Sequence, residues 1–177
     1  MKGFLIILSL SIISIALFAE VAGIKRSDFD HLKKGFSTTK NVGFKTVSAK
    51  GISIEIPTDW NRMDGKDQWI QKGTGNNVNL IIEKTSMNMD AYVKLSKTNM
   101  KKAIPSYELI KQENRLINGK KASILLGKFK MQGVMLEMYS IIINEGDQKI
   151  VVTVGGLMKN FNPAKSDFVH IFNSYKK

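Results

Sequence analysis

The stretch GISIEIPTDW (residues 51–60) decides the fold, because it joins a strand, a forced stop and a large aromatic side chain. Its three isoleucines alternate with Ser53 and Glu55, and a period of two is typical of a strand with one buried face. Pro57 has no N–H for a strand ladder, so we expect the strand to end there. Trp60 is then expected to cover the open sheet edge against a helix.

The period of the sequence changes after two further short strands, which are expected at 67–72 and 78–84. Apolar residues then recur at helical spacing over 88–104. Asn88 is a favourable N-cap residue, so we expect the helix to begin just after it.

Longer strands return in the second half of the chain. Asn118 and Gly119 tolerate positive φ and predict a hairpin between two strands. Further strands are expected at 134–144 and 148–154. A last helix is expected to have Asn162 as N-cap and Pro163 at its first position. Its predicted buried stripe is Phe168, Ile171, Phe172 and Tyr175.

Antiparallel strands interrupted by helices at two places indicate an α+β fold. We expect an antiparallel β-sheet flanked by helices on both faces. The run at 134–143 is apolar on both sides, which is expected of a sheet that is covered on both faces.

The order of these motifs resembles the PsbP-like family over residues 48–177. The resemblance implies an antiparallel sheet between helices, and a role in binding proteins or assemblies, often at a membrane surface. The family brings no shared catalytic residues, and the metal-binding positions of some plant members have no counterpart here. The matching segments are ISIEIPTDW (52–60), VNLIIEKTSMNMDAYVKLSKTNMKK (78–102), ELIKQENRLINGKKASILLGKF (108–129), MLEMYSIIINEGDQKIVVTV (135–154) and FNSYK (172–176).

Residues 1–19 have the pattern of a secretory signal peptide. Lys2 precedes an uncharged run from Phe4 to Phe18, which is shorter than the ~20 residues that a membrane-spanning helix needs. Ala19 is the expected last residue before cleavage. An uncleaved N-terminal anchor is the alternative. Both interpretations place the rest of the chain across the cytoplasmic membrane, either periplasmic or secreted.

Residues 20–47 are predicted to be a basic flexible linker in front of a domain over residues 48–177. Lysines are scattered through the segment among glycine, serine and threonine, and no period persists. A solvated tether is the favoured interpretation. The alternative is a basic segment that contacts an anionic membrane surface.

The composition argues against several classes of function. The chain of 177 residues carries a net charge of +12, mostly as lysine, and its arginines are Arg26, Arg62 and Arg115. Lysine lacks the planar bidentate geometry that suits phosphate and base recognition, so nucleic acid is not an expected partner. The absence of cysteine excludes disulfides, thiolate metal sites and a cysteine nucleophile.

Catalytic patterns are also missing from the sequence. The two histidines are His31 in the linker and His170, which we expect on the surface of the last helix. No H-E-x-x-H, G-x-S-x-G or P-loop occurs, and the S-x-x-K of Ser37–Lys40 has no companion motifs. We therefore predict no catalytic or cofactor-binding residues, no cofactor and no enzymatic activity. A hydrolase is the least favoured class.

A calcium loop is suggested by four oxygen-bearing side chains, Asp59, Asn61, Asp64 and Asp67, but Met63 occupies a position that the loop reserves for a ligand. A solvated turn is the favoured interpretation of this segment.

Methionine pairs form the other candidate metal pattern. Met87 with Met89, and Met135 with Met138, have spacings that copper sites can use. Methionine also fills gaps in hydrophobic cores, and Met135 and Met138 would point to opposite faces of a strand. No metal ligands are predicted.

The sequence thus predicts an exported, non-enzymatic binding module of the cell envelope, whose partner is an envelope protein or a membrane-associated assembly. The alternative is a small-molecule or lipid-binding protein with a pocket between sheet and helix. An interface completely filled by side chains would exclude that alternative.

Overall fold

The structure is a computed structural model that describes residues 43–71, 73–161 and 163–177. The predicted signal peptide, residues 1–19, lies outside the described residues, as does most of the predicted linker. No helix in the described ranges is both long enough and apolar enough to cross a membrane. The elements are β1 (Phe44–Ala49), β2 (Ile52–Pro57), β3 (Trp60–Arg62), β4 (Gln68–Gln71), β5 (Asn77–Lys84), α1 (Met89–Ala103), β6 (Glu108–Ile117), β7 (Lys120–Met131), β8 (Val134–Glu145), β9 (Gln148–Leu157), α2 (Met158–Phe161) and α3 (Lys165–Asn173).

Seven of these strands form one antiparallel sheet in the order β3-β4-β5-β9-β8-β7-β6. β1 and β2 form a separate antiparallel hairpin. The predicted antiparallel α+β architecture is confirmed. The long strands β6 to β9 follow one another through short turns, so that most sheet contacts join neighbours in the chain.

The predicted linker boundary is wrong at its end, because residues 44–47 belong to β1. The hairpin is closed by Lys50 and Gly51, both with positive φ (51° and 79°). Such turns match the twist of paired strands. Only alternate residues of β1 are partly or fully buried, so the apolar signal in its sequence is weak.

Two further details differ from the sequence prediction. The three-residue strand β3 is too short to leave a periodic signal. The last helix begins at Lys165 with Ala164 as its N-cap, so the predicted start at Pro163 is wrong. The chain first makes the short helix α2, and the Ala164 N–H donates to the Phe161 carbonyl. Asn162, the predicted N-cap residue, lies outside the described residues. The buried residues of the last helix, Phe168, Ile171 and Phe172, are as predicted.

The two predicted turn and cap signals are confirmed. The Asn88 side chain accepts a hydrogen bond from the Ala91 N–H at 2.9 Å, which caps α1. Asn118 and Gly119 have φ of 49° and 75° and close the β6–β7 hairpin.

The buried side chains form two clusters. Alternate residues of β8 belong to different clusters, so the clusters lie on opposite faces of the sheet. Ile141 and Ile143 pack with α2, α3 and the β1–β2 hairpin. Met138 and Ile142 pack with α1.

Candidate functional site

An open groove lies between α3 and the sheet. It has a volume of about 250 Å³. An interface filled completely by side chains would have excluded a pocket-type binding protein, so this groove keeps that interpretation open. We call it the α3 groove. Its lining residues are Lys111, Glu113, Arg115, Ile124, Leu126, Tyr139, Lys165, Phe168, Val169 and Phe172.

Strand register builds the floor of the α3 groove in rows. Leu126 lies opposite Lys111 on β6 and opposite Tyr139 on β8. Ile124 lies in the next row, beside Glu113. Each row therefore runs from a charged side chain on the edge strand to apolar side chains on the inner strands, and the groove has an apolar floor and a charged outer wall.

The groove exists because α3 is too narrow to cover the sheet. Six strand spacings of about 4.8 Å make the sheet about 29 Å wide. A helix with its side chains is about 10–12 Å across. The β1–β2 hairpin packs beside α3 on the same face. The inner faces of β6 and β7 consequently extend past the helix and remain open.

The charged wall of the groove is predominantly basic. Lys111 Nζ lies 2.8 Å from Glu113 Oε2, and this hydrogen bond raises the pKa of Lys111 and lowers that of Glu113. Arg115 Nη2 reaches only Asn173 Oδ1, at 3.5 Å, and its buried Nε has no hydrogen-bond partner. Lys165 stands at the start of α3. Within the described lining, the single carboxylate is already paired.

Aromatic rings contact one another at the floor of the groove. Tyr139 stacks on Phe161 with ring centroids 5.3 Å apart, and it meets Phe172 edge-on at 6.4 Å. Burial, followed by the nearby charge of Glu137, raises the pKa of Tyr139. Tyr139 therefore remains neutral over the physiological range and presents an uncharged surface to the groove.

A second, much smaller cavity of about 20 Å³ lies on the opposite face of the sheet, beside the cluster under α1. Its lining combines apolar side chains, such as Met138, with the polar side chains of Asn77, Asn79 and Thr153. Asn77 Nδ2 donates to the Gly155 carbonyl at 2.7 Å, whereas Asn79 Oδ1 has no partner. This space is about one water molecule in size, so it is a packing feature and not a ligand site.

The two tryptophans and His170 lie outside the groove lining. Trp60 is fully buried and meets Phe168 of α3 edge-on at 6.4 Å, which confirms its predicted packing role. Trp69 is buried in β4, with the Arg62 guanidinium 5.8 Å from its ring centre. His170 lies on the partly exposed side of α3 and contacts Glu55. His31 and Ser37–Lys40 lie outside the described residues.

The acidic turn does not assemble into a cation site. Asp67 pairs with Arg62 at 2.8 Å, and Asp59 accepts a hydrogen bond from Gln71 at 2.9 Å. No group of three or more His, Asp or Glu residues in the described ranges could hold a metal ion.

Met135 lies apart from the other candidate methionine ligands. Met138 is buried in the cluster under α1, and Met87 and Met89 pack against that same cluster. Met135 is 38% exposed. The two methionines of the β8 pair therefore lie apart, in the arrangement expected for residues that fill a core.

The groove residues were not identified as a site from the sequence. Two signals are visible in retrospect. On β6, Lys111, Glu113 and Arg115 share one face of the strand. On α3, Lys165 and Val169 are one turn apart and flank the stripe that faces the core.

Comparisons with known proteins define the fold of the chain but not its family. No protein-family model matches the sequence, and no curated protein does. Cyanobacterial PsbP (CyanoP) from Synechocystis sp. is a similar solved structure, with a TM-score of 0.61 and 13% identity, over 80% of this chain and 96% of that one. The chain has the PsbP-like fold, as the resemblance predicted.

Two bacterial structures share this fold. LpqN of Mycobacterium tuberculosis, described as involved in cell envelope biogenesis, has a TM-score of 0.57 and 13% identity over 84% of this chain and 95% of that one. PA94 of Pseudomonas aeruginosa, a protein of unknown function, has a TM-score of 0.53 and 14% identity over 74% of this chain and 94% of that one. At such identities the likeness concerns the fold alone.

Proposed function

We propose that the chain is an exported, non-enzymatic binding module of the cell envelope, and that the α3 groove is its binding site. The observation that carries this proposal is the open apolar space of about 250 Å³ between sheet and helix. Small-molecule sites are typically concave and mostly apolar, with a few polar groups that orient the ligand. The α3 groove has that composition.

Support for export comes from the signal-like residues 1–19. The envelope role described for LpqN is consistent with it, by analogy of fold. Fractionation of cells that express the tagged full-length chain tests this step. We expect the protein outside the cytoplasm with its mass reduced by cleavage after Ala19, whereas a version lacking residues 1–19 stays inside. Equal cytoplasmic retention of both versions would contradict export.

Binding without catalysis is supported by the chemistry of the lining. Glu113 is ion-paired with Lys111, and burial raises the pKa of the Tyr139 hydroxyl further above physiological pH. A general base needs a free group whose pKa lies near the working pH. The groove is therefore suited to holding a ligand and poorly suited to moving a proton.

A protein partner is the second candidate, and the edge strand β6 favours it. Leu109, Ile110 and Leu116 on this strand are 36%, 46% and 66% exposed. An unpaired edge with exposed apolar residues can accept a strand from another chain. An envelope protein or membrane-associated assembly is the proposed partner for this surface.

A neutral apolar dye, Nile red, tests the groove directly. We expect its fluorescence to rise with the wild-type chain and to fall back in Val169→Trp, because Val169 is 50% exposed at the groove and a larger side chain would fill it. Leu116→Trp is the matched control, since Leu116 is exposed outside the groove lining. Equal signals from both variants would contradict a binding role for the α3 groove.

A further inference from the structure

We propose that the α3 groove binds a single-chain anionic amphiphile, an assignment that rests on the proposed function of the groove. The alkyl chain lies on the floor formed by Leu126 and Tyr139. The anionic headgroup lies at the basic wall beside Arg115, which contacts Asn173 at the end of α3. Lys165 stands at the start of that helix, about 12 Å away along its axis, and attracts the headgroup from a distance.

The charges of the lining select the sign of the headgroup. The charged residues in the lining of the α3 groove are Lys111, Arg115, Lys165 and Glu113. The carboxylate of Glu113 already lies 2.8 Å from the Lys111 ammonium. Arg115 and Lys165 have no carboxylate within ion-pair distance in the described ranges. Three cationic side chains and one carboxylate line the groove, so an anion would be attracted to it, whereas a cationic headgroup would be repelled.

The guanidinium of Arg115 has hydrogen-bond donors that the protein leaves unused. Its Nε is buried without an acceptor, and its Nη2 meets Asn173 Oδ1 only at 3.5 Å, the limit of a hydrogen bond. Nearly all buried donors in folded proteins find an acceptor. A small rotation of this side chain towards the groove would let a carboxylate or phosphate accept two parallel hydrogen bonds from it.

The size of the groove suits a ligand with one alkyl chain. An apolar cavity of about 150 Å³ is large enough to hold benzene. The α3 groove, with about 250 Å³, holds a larger apolar group but lies below the usual range of about 300–1,000 Å³ for whole drug-sized ligands. This volume matches one alkyl chain better than the two chains of a bilayer lipid, so we expect a single-chain occupant.

Calorimetric titration of the full-length chain with three probes of equal chain length tests the inference. The probes are decanoate, 1-decanol and decylammonium, each below the concentration at which it forms micelles. We expect decanoate to bind at least tenfold more tightly than the other two, and its advantage to shrink as salt is added. Equal affinity for decanoate and 1-decanol would overturn the anionic assignment.

Matched variants locate the headgroup. We expect the double variant Arg115→Gln with Lys165→Gln to lose at least tenfold in decanoate affinity and to bind 1-decanol unchanged. Lys165→Gln alone leaves Arg115 in place and is expected to lose affinity in the same direction. The control is Lys94→Gln with Lys102→Gln, which removes the same charge from exposed positions of α1. An equal loss in this control would overturn the assignment.

The outcomes also separate this inference from the proposed function. If decanoate and 1-decanol bind equally and Val169→Trp blocks both, the groove is a binding site but the anionic assignment is wrong. If Val169→Trp affects neither probe, the groove is not the binding site and both proposals fail.

Discussion

His170 Nε2 lies 2.7 Å from Glu55 Oε2 and so joins the last helix to the second strand. The Phe44 ring stacks on the His170 imidazole with centroids 3.7 Å apart. The backbone N–H of Glu55 also donates to Ser174 Oγ at 2.7 Å. These contacts fix one side of α3 to the β1–β2 hairpin, while its other side borders the α3 groove.

His170→Ala removes the hydrogen bond to Glu55 and the ring stack together. We expect the free energy of unfolding to fall by about 1 kcal/mol, since both side chains are partly exposed and solvent screens the pair. Urea unfolding measures the change. A double-mutant cycle with Glu55→Gln isolates the coupling, and strictly additive effects would contradict a direct interaction.

Gly127 is required beneath the ring of Tyr107. A Cβ at this position would lie 2.3 Å from Tyr107 Cε2, so Gly127→Ala must displace the buried ring. We expect a loss of about 1–3 kcal/mol in unfolding free energy. Gly155→Ala is the matched control, because its nearest neighbour would be 3.5 Å away, an ordinary contact. An equally small effect in both variants would contradict the close approach.

The hydroxyl of Tyr107 is buried without a hydrogen-bond partner. Removing an unsatisfied buried hydroxyl costs nothing in lost bonds, so we expect Tyr107→Phe to be as stable as the wild type at pH 7, or more stable. Urea unfolding at pH 7 checks this. A loss of more than about 1 kcal/mol, the usual net value of one hydrogen bond, would show that the hydroxyl has a partner.

Alkaline pH should destabilise the fold through its buried tyrosines. Burial raises the pKa of Tyr107 from 10.0 to about 12. Burial also raises the pKa of Tyr92 and of Tyr175, assisted by hydrogen bonds to Glu83 and Glu145. The tyrosine hydroxyls ionise at a lower pH in the unfolded state than in the folded state. Their contribution to the free energy of unfolding is therefore fully present below pH 10 and declines above it.

Urea unfolding at a series of pH values from 9 to 12 measures this decline, because the window starts below the ordinary pKa of 10.0 and ends near the raised pKa of Tyr107, about 12. Tyr107→Phe is expected to lose stability less steeply than the wild type over that window. Identical slopes would contradict a raised pKa at Tyr107.

The cap of α1 gives a local test of the fold. Asn88→Ala removes the side-chain acceptor of the Ala91 N–H, and we expect a loss of about 1 kcal/mol. Asn88→Asp keeps an acceptor at the N-terminus and is expected to retain wild-type stability. Equal losses in the two variants would indicate that the bond contributes nothing.

Local signals predicted most of the architecture. Asn88 caps α1, Asn118 and Gly119 close a hairpin, and Pro57 ends β2, because each acts through backbone geometry within a few residues. β1 was missed because its hairpin turn uses Lys50, a residue without the strong preference for positive φ that Asn and Gly have.

The α3 groove could not be predicted in the same way. Its wall requires Lys111 to lie beside Leu126, and that row depends on the register of β6 against β7. Register across one hairpin follows from its turn, but the position of α3 over the sheet depends on packing between Phe168, Trp60 and distant strands. No local signal in the sequence therefore marks Val169 as a residue that lines the groove.

Intermolecular NOEs between decanoate and the methyl groups of the chain test the central claim most directly. We predict contacts from the alkyl protons to the methyl groups of Ile124, Leu126 and Val169, which line the α3 groove. Contacts confined to Leu136 and Met138, in the cluster under α1, or no contacts at all, would contradict the groove as the binding site.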